Sequence, residues 1–116
     1  MIPGKHRFHG HNSLRHTYQR GSSSRGPMIS LKFARQGGQR PYRAAVVVSR
    51  KVSKSALRRN RIRRRVYELV RQLGVAIPPG MDLVFTVFDE KVADLEAAKL
   101  QATITGLIQK ATKQAR

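Results

Sequence analysis

Arg50-Lys51-Val52-Ser53-Lys54-Ser55-Ala56-Leu57-Arg58-Arg59-Asn60-Arg61-Ile62-Arg63-Arg64-Arg65-Val66-Tyr67-Glu68 is the densest run of positive charge in the chain, and its pattern is also that of a helix. Ile62, Val66, Leu69, Val70 and Leu73 recur at spacings of three and four, so they share one arc of a helical wheel and predict a helix docked on a core over residues 55–73. Asn60, Arg64, Tyr67 and Arg71 take the opposite arc, while Arg61, Arg63 and Arg65 flank the apolar stripe. Such a helix holds the fold with one side and presents guanidinium groups over much of the rest.

Six arginines fall within residues 58–65, and no acid interrupts the run before Glu68. Solvated helix faces usually mix the two signs, because like charges at i,i+4 cost about 0.2–0.5 kcal/mol per pair. A phosphate-rich partner offsets that repulsion. Guanidinium grips phosphate bidentately and stacks on bases, whereas an ammonium acts as a point charge. The preference for Arg over Lys therefore points to structured nucleic acid rather than to an acidic protein.

The distribution of charge supports this. Of the 24 Lys/Arg, 18 lie in residues 1–65 with none of the six Asp/Glu; the remaining six of each sign lie in 66–116 and cancel. One part of the chain binds and the other supports. At 116 residues the chain reads as a single RNA-binding domain, 1–116, long enough to bury roughly two-thirds of its unfolded surface. The absence of cysteine excludes disulfides and thiolate metal sites and fits an intracellular setting. No apolar run approaches the roughly 20 residues that span a bilayer, and no secretory signal pattern opens the chain, so a soluble, cytoplasmic protein without a membrane partner is expected. An interfacial membrane helix is disfavoured because the apolar face of this helix is committed to a core.

Residues 1–11 read as a flexible, basic, His-rich arm containing His6, His9 and His11. A short helix is expected over 12–20, capped by Asn12 or Ser13, with Leu14 and Tyr18 at i,i+4 and Gly21 closing it. Residues 21–27, Gly-Ser-Ser-Ser-Arg-Gly-Pro, read as loop. Strands are expected over 28–36, where Ile29, Leu31 and Phe33 alternate with Ser30 and Lys32, and over 42–49, the two forming an antiparallel hairpin. Ser53 or Ser55 can cap the basic helix, which ends near Leu73-Gly74. A third strand over 81–88 is apolar throughout and is expected in a central position. A last helix is predicted over 92–110, with its acids early and lysines late.

Enzymatic chemistry by the chain itself is poorly supported. All six acids lie from Glu68 onward in segments that read as helix faces and turns, and Asp82 and Asp89 read as turn caps at the ends of one strand. The histidines His6, His9, His11 and His16 lack carboxylate or thiol partners, so partial positive charge against phosphate is a better reading than a metal site or a nuclease pair. No Gly-rich phosphate loop or nucleophile motif is present. Phe8 and Tyr18 fit either a small apolar satellite of the core or a stacking platform for unpaired bases, and sequence alone favours the first.

Ser49 to Arg64, with its Arg59-Asn60-Arg61 centre and the following basic pair, resembles the signature of the bacterial ribonuclease P protein subunit. The order of elements over most of the chain is similar too. The resemblance implies an α+β fold, an α/β two-layer sandwich like the second domain of ribosomal protein S5, with the basic and C-terminal helices packed on a small sheet and a left-handed β-α-β crossover. It implies that a catalytic RNA, with Mg²⁺ bound by the RNA and substrate, cleaves the 5′ leader from precursor tRNA, and that the protein subunit docks on that RNA and helps hold the leader. Lys51, Lys54, Arg58, Arg59, Asn60, Arg61, Arg63, Arg64 and Arg65 would lie against the catalytic RNA. Phe8, Leu14, Tyr18, Lys32 and Arg50 would serve the leader. No catalytic or metal-binding residue is expected in the protein, and no protein partner is required. Leu14 stands where the family usually has Phe, and Tyr67 where a further basic residue is common. The alternative is a ribosomal or ribosome-assembly RNA-binding protein with no catalytic association; an RNA chaperone and a protein-only nuclease using the histidines are weaker readings.

Overall fold

The structure, a computed structural model, describes residues 3–8, 11–35 and 38–114, with backbone only for residues 11–13. Its elements run α1 (His11–Arg20), β1 (Ser22–Arg25), β2 (Ile29–Arg35), β3 (Arg43–Val48), α2 (Ala56–Gln72), β4 (Met81–Val87) and α3 (Ala97–Gln114), with single 3₁₀ turns at Gly4–His6, Gly74–Ala76 and Glu90–Ala93. The strands form one sheet in the order β1-β2-β4-β3. β4 is antiparallel to β2 and parallel to β3, and β1 is antiparallel to β2.

The hairpin expected between 28–36 and 42–49 does not form, because β4 lies between these strands. Met81 to Phe85 are all buried, and only an interior strand covers both faces of such a run. Its central position agrees with its apolar sequence. β3, α2 and β4 then make a β-α-β unit joining neighbouring parallel strands, in line with the implied fold.

Register stacks the core in layers. Phe33, Leu83 and Ala44 are paired across three strands, as are Leu31, Phe85 and Val46, and Ile29, Val87 and Val48. That face packs against Ile62, Val66 and Val70 of α2 and Leu100, Ile104, Leu107 and Ile108 of α3, so the predicted apolar arc of the basic helix is the one that docks. The alternate face, which includes Lys32, meets α1.

Three further differences have local causes. Residues 22–25, expected as loop, pair with β2 from Ser22↔Phe33 to Arg25↔Ser30; a serine run carries no apolar alternation to announce a strand. The last helix starts at Ala97 instead of residue 92 and reaches Gln114 instead of 110. Val92 and Ala93 are buried in a 3₁₀ turn capped by Asp89, whose carboxylate accepts from the Lys91 N–H at 2.9 Å. Carbonyls that a helix would use for its own N–H groups are taken here by arginines of α2. Asp82 is no turn cap: it is 1% exposed and paired with Arg43.

The N-terminal residues also depart from a free arm. His6 stacks on Tyr42 with centroids 3.9 Å apart, its Nδ1 lies 2.9 Å from the Tyr42 carbonyl, and Arg7 bridges Ala44 on the outer edge of β3. Tyr67 serves the same edge, its hydroxyl accepting from the Val46 N–H at 3.1 Å. His9 lies outside the described residues.

Candidate nucleic-acid interface

Ser55 starts α2, its hydroxyl accepting from the Arg58 N–H at 3.2 Å, and the buried Ser53 accepts from the Ser55 N–H at 3.3 Å. This fixes the helix at the point where its basic residues begin. Lys51 and Lys54 are exposed just before that start. The signature residues Arg58, Arg59, Asn60, Arg61, Arg63, Arg64 and Arg65 all lie within the first ten residues of α2.

Their surroundings differ by helical face. Arg58 donates to the Asp94 carboxylate at 2.9 Å and has Glu90 at 3.6 Å. Hydrogen bonding and charge from Arg58 hold the Asp94 carboxyl below its usual range, with lesser help from Arg61 and Arg65. Arg61 donates Nε to the Ala93 carbonyl at 2.7 Å, and Arg65 donates one Nη to Val92 at 2.6 Å and the other to Leu95. Arg59 donates to the Ser53 carbonyl at 2.8 Å.

On the other side, Arg63 donates to the Asn60 side-chain oxygen, and Arg64 is exposed. Leu57 is 81% exposed beside them, and Leu57, Asn60, Arg63 and Arg64 border a shallow hollow. An apolar side chain left open among cations suits the face of a base or sugar next to bound phosphates.

Of the second group of predicted residues, Tyr18 and Lys32 lie on the opposite face of the sheet. Lys32 donates to the Tyr18 carbonyl at 2.8 Å and sits 5.1 Å from the Tyr18 ring centre, so these two come together as expected. Tyr18 is 43% exposed, and Leu14, one turn earlier, is half-buried. Phe8 instead lies under the Arg43 guanidinium at 4.9 Å, and Arg50 is exposed in the turn after β3. Sequence reading missed Phe88, 39% exposed, with the Arg25 guanidinium 4.8 Å from its ring centre. The signal was the alternation Asp82, Val84, Thr86, Phe88, which puts Phe88 on the Lys32 face once the register is known.

Among the described residues the groups that would serve a protein-based nuclease are not brought together. Among the described residues no three His, Asp or Glu are grouped to hold a metal ion. His6 is engaged with Tyr42, His16 is exposed on α1, and the side chain of His11 lies outside the described residues. Four of the six acids are engaged by neighbouring arginines: Glu68, Asp82, Glu90 and Asp94.

Comparison with known proteins gives a consistent answer. A family model described as ribonuclease P matches residues 2–112. The chain is 32% identical over 114 residues to the ribonuclease P protein component of a Synechococcus strain, covering 96% of this chain and 85% of that one. It is 39% identical over 98 residues to the Chloroflexus aurantiacus ribonuclease P protein component, covering 84% and 71%. Its fold matches the ribonuclease P protein from Thermotoga maritima with a TM-score of 0.78 at 22% identity, over 90% of this chain and 96% of that one. A Staphylococcus aureus ribonuclease P protein mutant matches with a TM-score of 0.80 at 18% identity, over 92% and 88%.

Proposed function

The chain belongs to the bacterial ribonuclease P protein family, the protein components of an RNA-cleaving ribonucleoprotein that processes tRNA, and from that premise we propose how it works. It binds the catalytic RNA through α2 and holds the 5′ leader of precursor tRNA against the α1 face of the sheet, while the RNA cleaves. The observation that carries this reading is the set of exposed cations before and along α2, Lys51 and Lys54 ahead of it and Arg64 within it, on a helix anchored by Ile62, Val66 and Val70. A rigid base lets the cations meet phosphates without first being ordered.

Leader binding is the finer part of the proposal. Tyr18 and Phe88 offer exposed aromatic faces, with Lys32 and Arg25 close to the rings, a combination that suits a single strand whose bases stack while its backbone tracks positive charge. In this reading Mg²⁺ belongs to the RNA and the substrate. The chain's own residues screen phosphate repulsion as RNA and substrate meet, and that raises the affinity of both for each other and for cations. The setting is cytoplasmic, with no membrane and no further protein required.

The test is the affinity of the reconstituted particle for precursor tRNA against mature tRNA, with and without the protein. A protein-dependent preference for the precursor is expected. Equal gains for both tRNAs would remove the leader from the account.

A further inference from the structure

The arginines of α2 differ in how many of their donors the protein itself consumes. Both Nη groups of Arg65 are directed at main-chain carbonyls, those of Val92 and Leu95. Arg58 is paired with Asp94 and Glu90. Arg61 gives up only Nε, which leaves its two Nη groups available. Arg64 is exposed and takes part in no hydrogen bond or ion pair with the described residues. A guanidinium has five N–H donors, so a bidentate grip on phosphate requires that its paired edge be open.

This division follows the geometry of the helix. Arg58, Arg61 and Arg65 are spaced by three and four, and therefore form one row along α2 facing the 89–96 segment. That segment carries Glu90, Asp94 and Glu96, all exposed. A phosphate backbone approaching over this row would meet carboxylates and find the guanidiniums of Arg58 and Arg65 occupied. Asn60 and Arg64, also four apart, look outward from the adjacent face.

We infer that the RNA footprint on α2 is one-sided: phosphates lie over the Asn60–Arg64 side, and Arg65, although it stands inside the basic signature, belongs to the protein and braces α2 against the 92–95 carbonyls. This rests on the reading of α2 as the RNA-docking helix. It changes the role of Arg65 from phosphate ligand to brace, and it fixes which flank of the helix the RNA covers.

The experiment measures binding of the full chain to a bacterial ribonuclease P RNA transcript as a function of salt, for the wild type, Arg64→Ala, Arg65→Ala and Arg65→Lys, with the Tm of each protein. Arg64→Ala should lower the slope of log affinity against log salt by about one, with the Tm unchanged. Arg65→Ala should keep the wild-type slope and lower the Tm. Arg65→Lys, which keeps the charge and loses the fork that spans two carbonyls, should lower the Tm as well. A drop of about one in slope for Arg65→Ala with an unchanged Tm overturns the inference. Arginine side-chain ¹⁵N spectra of the wild type give a reading independent of how the variants fold. The Arg65 guanidinium should be protected from exchange before RNA is added and unshifted after, while that of Arg64 shifts; the reverse pattern overturns the inference. Wild-type binding with no salt dependence would refute the docking role of α2 itself and so is distinguishable from failure of the sidedness.

Discussion

Arg43 and Asp82 stand directly opposite each other across the parallel pair β3 and β4, and the guanidinium takes both carboxylate oxygens, Nε to Oδ1 at 2.9 Å and Nη2 to Oδ2 at 2.7 Å. Arg40 adds a third contact at 3.6 Å. The pair ties an edge strand to the central one, and Arg43 also lies over Phe8. Asp82→Ala therefore leaves a partly buried cation uncompensated and is expected to cost about 3 kcal/mol, measured by urea unfolding. A loss below about 0.5 kcal/mol would show that the pair does not brace the sheet.

Gly21 closes α1 with its N–H donating to the Thr17 carbonyl at 2.9 Å. A Cβ built there would lie 2.4 Å from the Thr17 oxygen and 2.7 Å from the Phe33 oxygen, both main-chain atoms that cannot rotate away. Gly21→Ala is expected to cost about 1–3 kcal/mol, read as a lower Tm. Because the strain falls where α1 meets β2, the variant should also weaken precursor tRNA binding more than mature tRNA binding.

The elements carrying strong periodicity were legible in the sequence: the 55–73 helix was found within a residue at each end, and the central place of β4 followed from its unbroken apolar run. What failed depends on partners distant in sequence. Ser22–Arg25 becomes a strand because β2 offers an edge, and β2 and β3 part because β4 inserts between them. The start of α3 moved because arginines from α2 occupy the carbonyls of Val92, Ala93 and Leu95. The basic signature was plain in the sequence, yet which of its arginines face outward was not, since Arg64 and Arg65 are adjacent and differ only in what lies across from them.

Glu68 provides a pH test. Hydrogen bonding from Arg71, with further help from Gln72, lowers its carboxyl from an ordinary 4.5 to about 2. A depressed carboxylate contributes stability above its unfolded pKa and loses it as pH falls through the folded one. The stability difference between wild type and Glu68→Gln should therefore be constant above about pH 5 and shrink between about pH 4.5 and 2. Since both side chains are exposed, the effect is small and weakens with salt. A difference that does not change over that range would exclude the pairing in solution.

Tyr18 and Phe88 test the leader face. Loss of one stacked base costs about 1–3 kcal/mol, so Tyr18→Ala or Phe88→Ala should weaken precursor tRNA binding by the particle about tenfold, with mature tRNA unaffected. Filter binding with the two tRNAs measures this. Equal loss for both would move these residues from leader contact to the fold.

The most direct measurement of the central claim is cleavage of precursor tRNA by the chain with and without a bacterial ribonuclease P RNA, at low and high Mg²⁺. The protein alone should not cleave, and its stimulation of the RNA should be strongest at low Mg²⁺, where screening of phosphate by the protein matters most. Cleavage without the RNA, or no stimulation at either Mg²⁺ concentration, would contradict that claim.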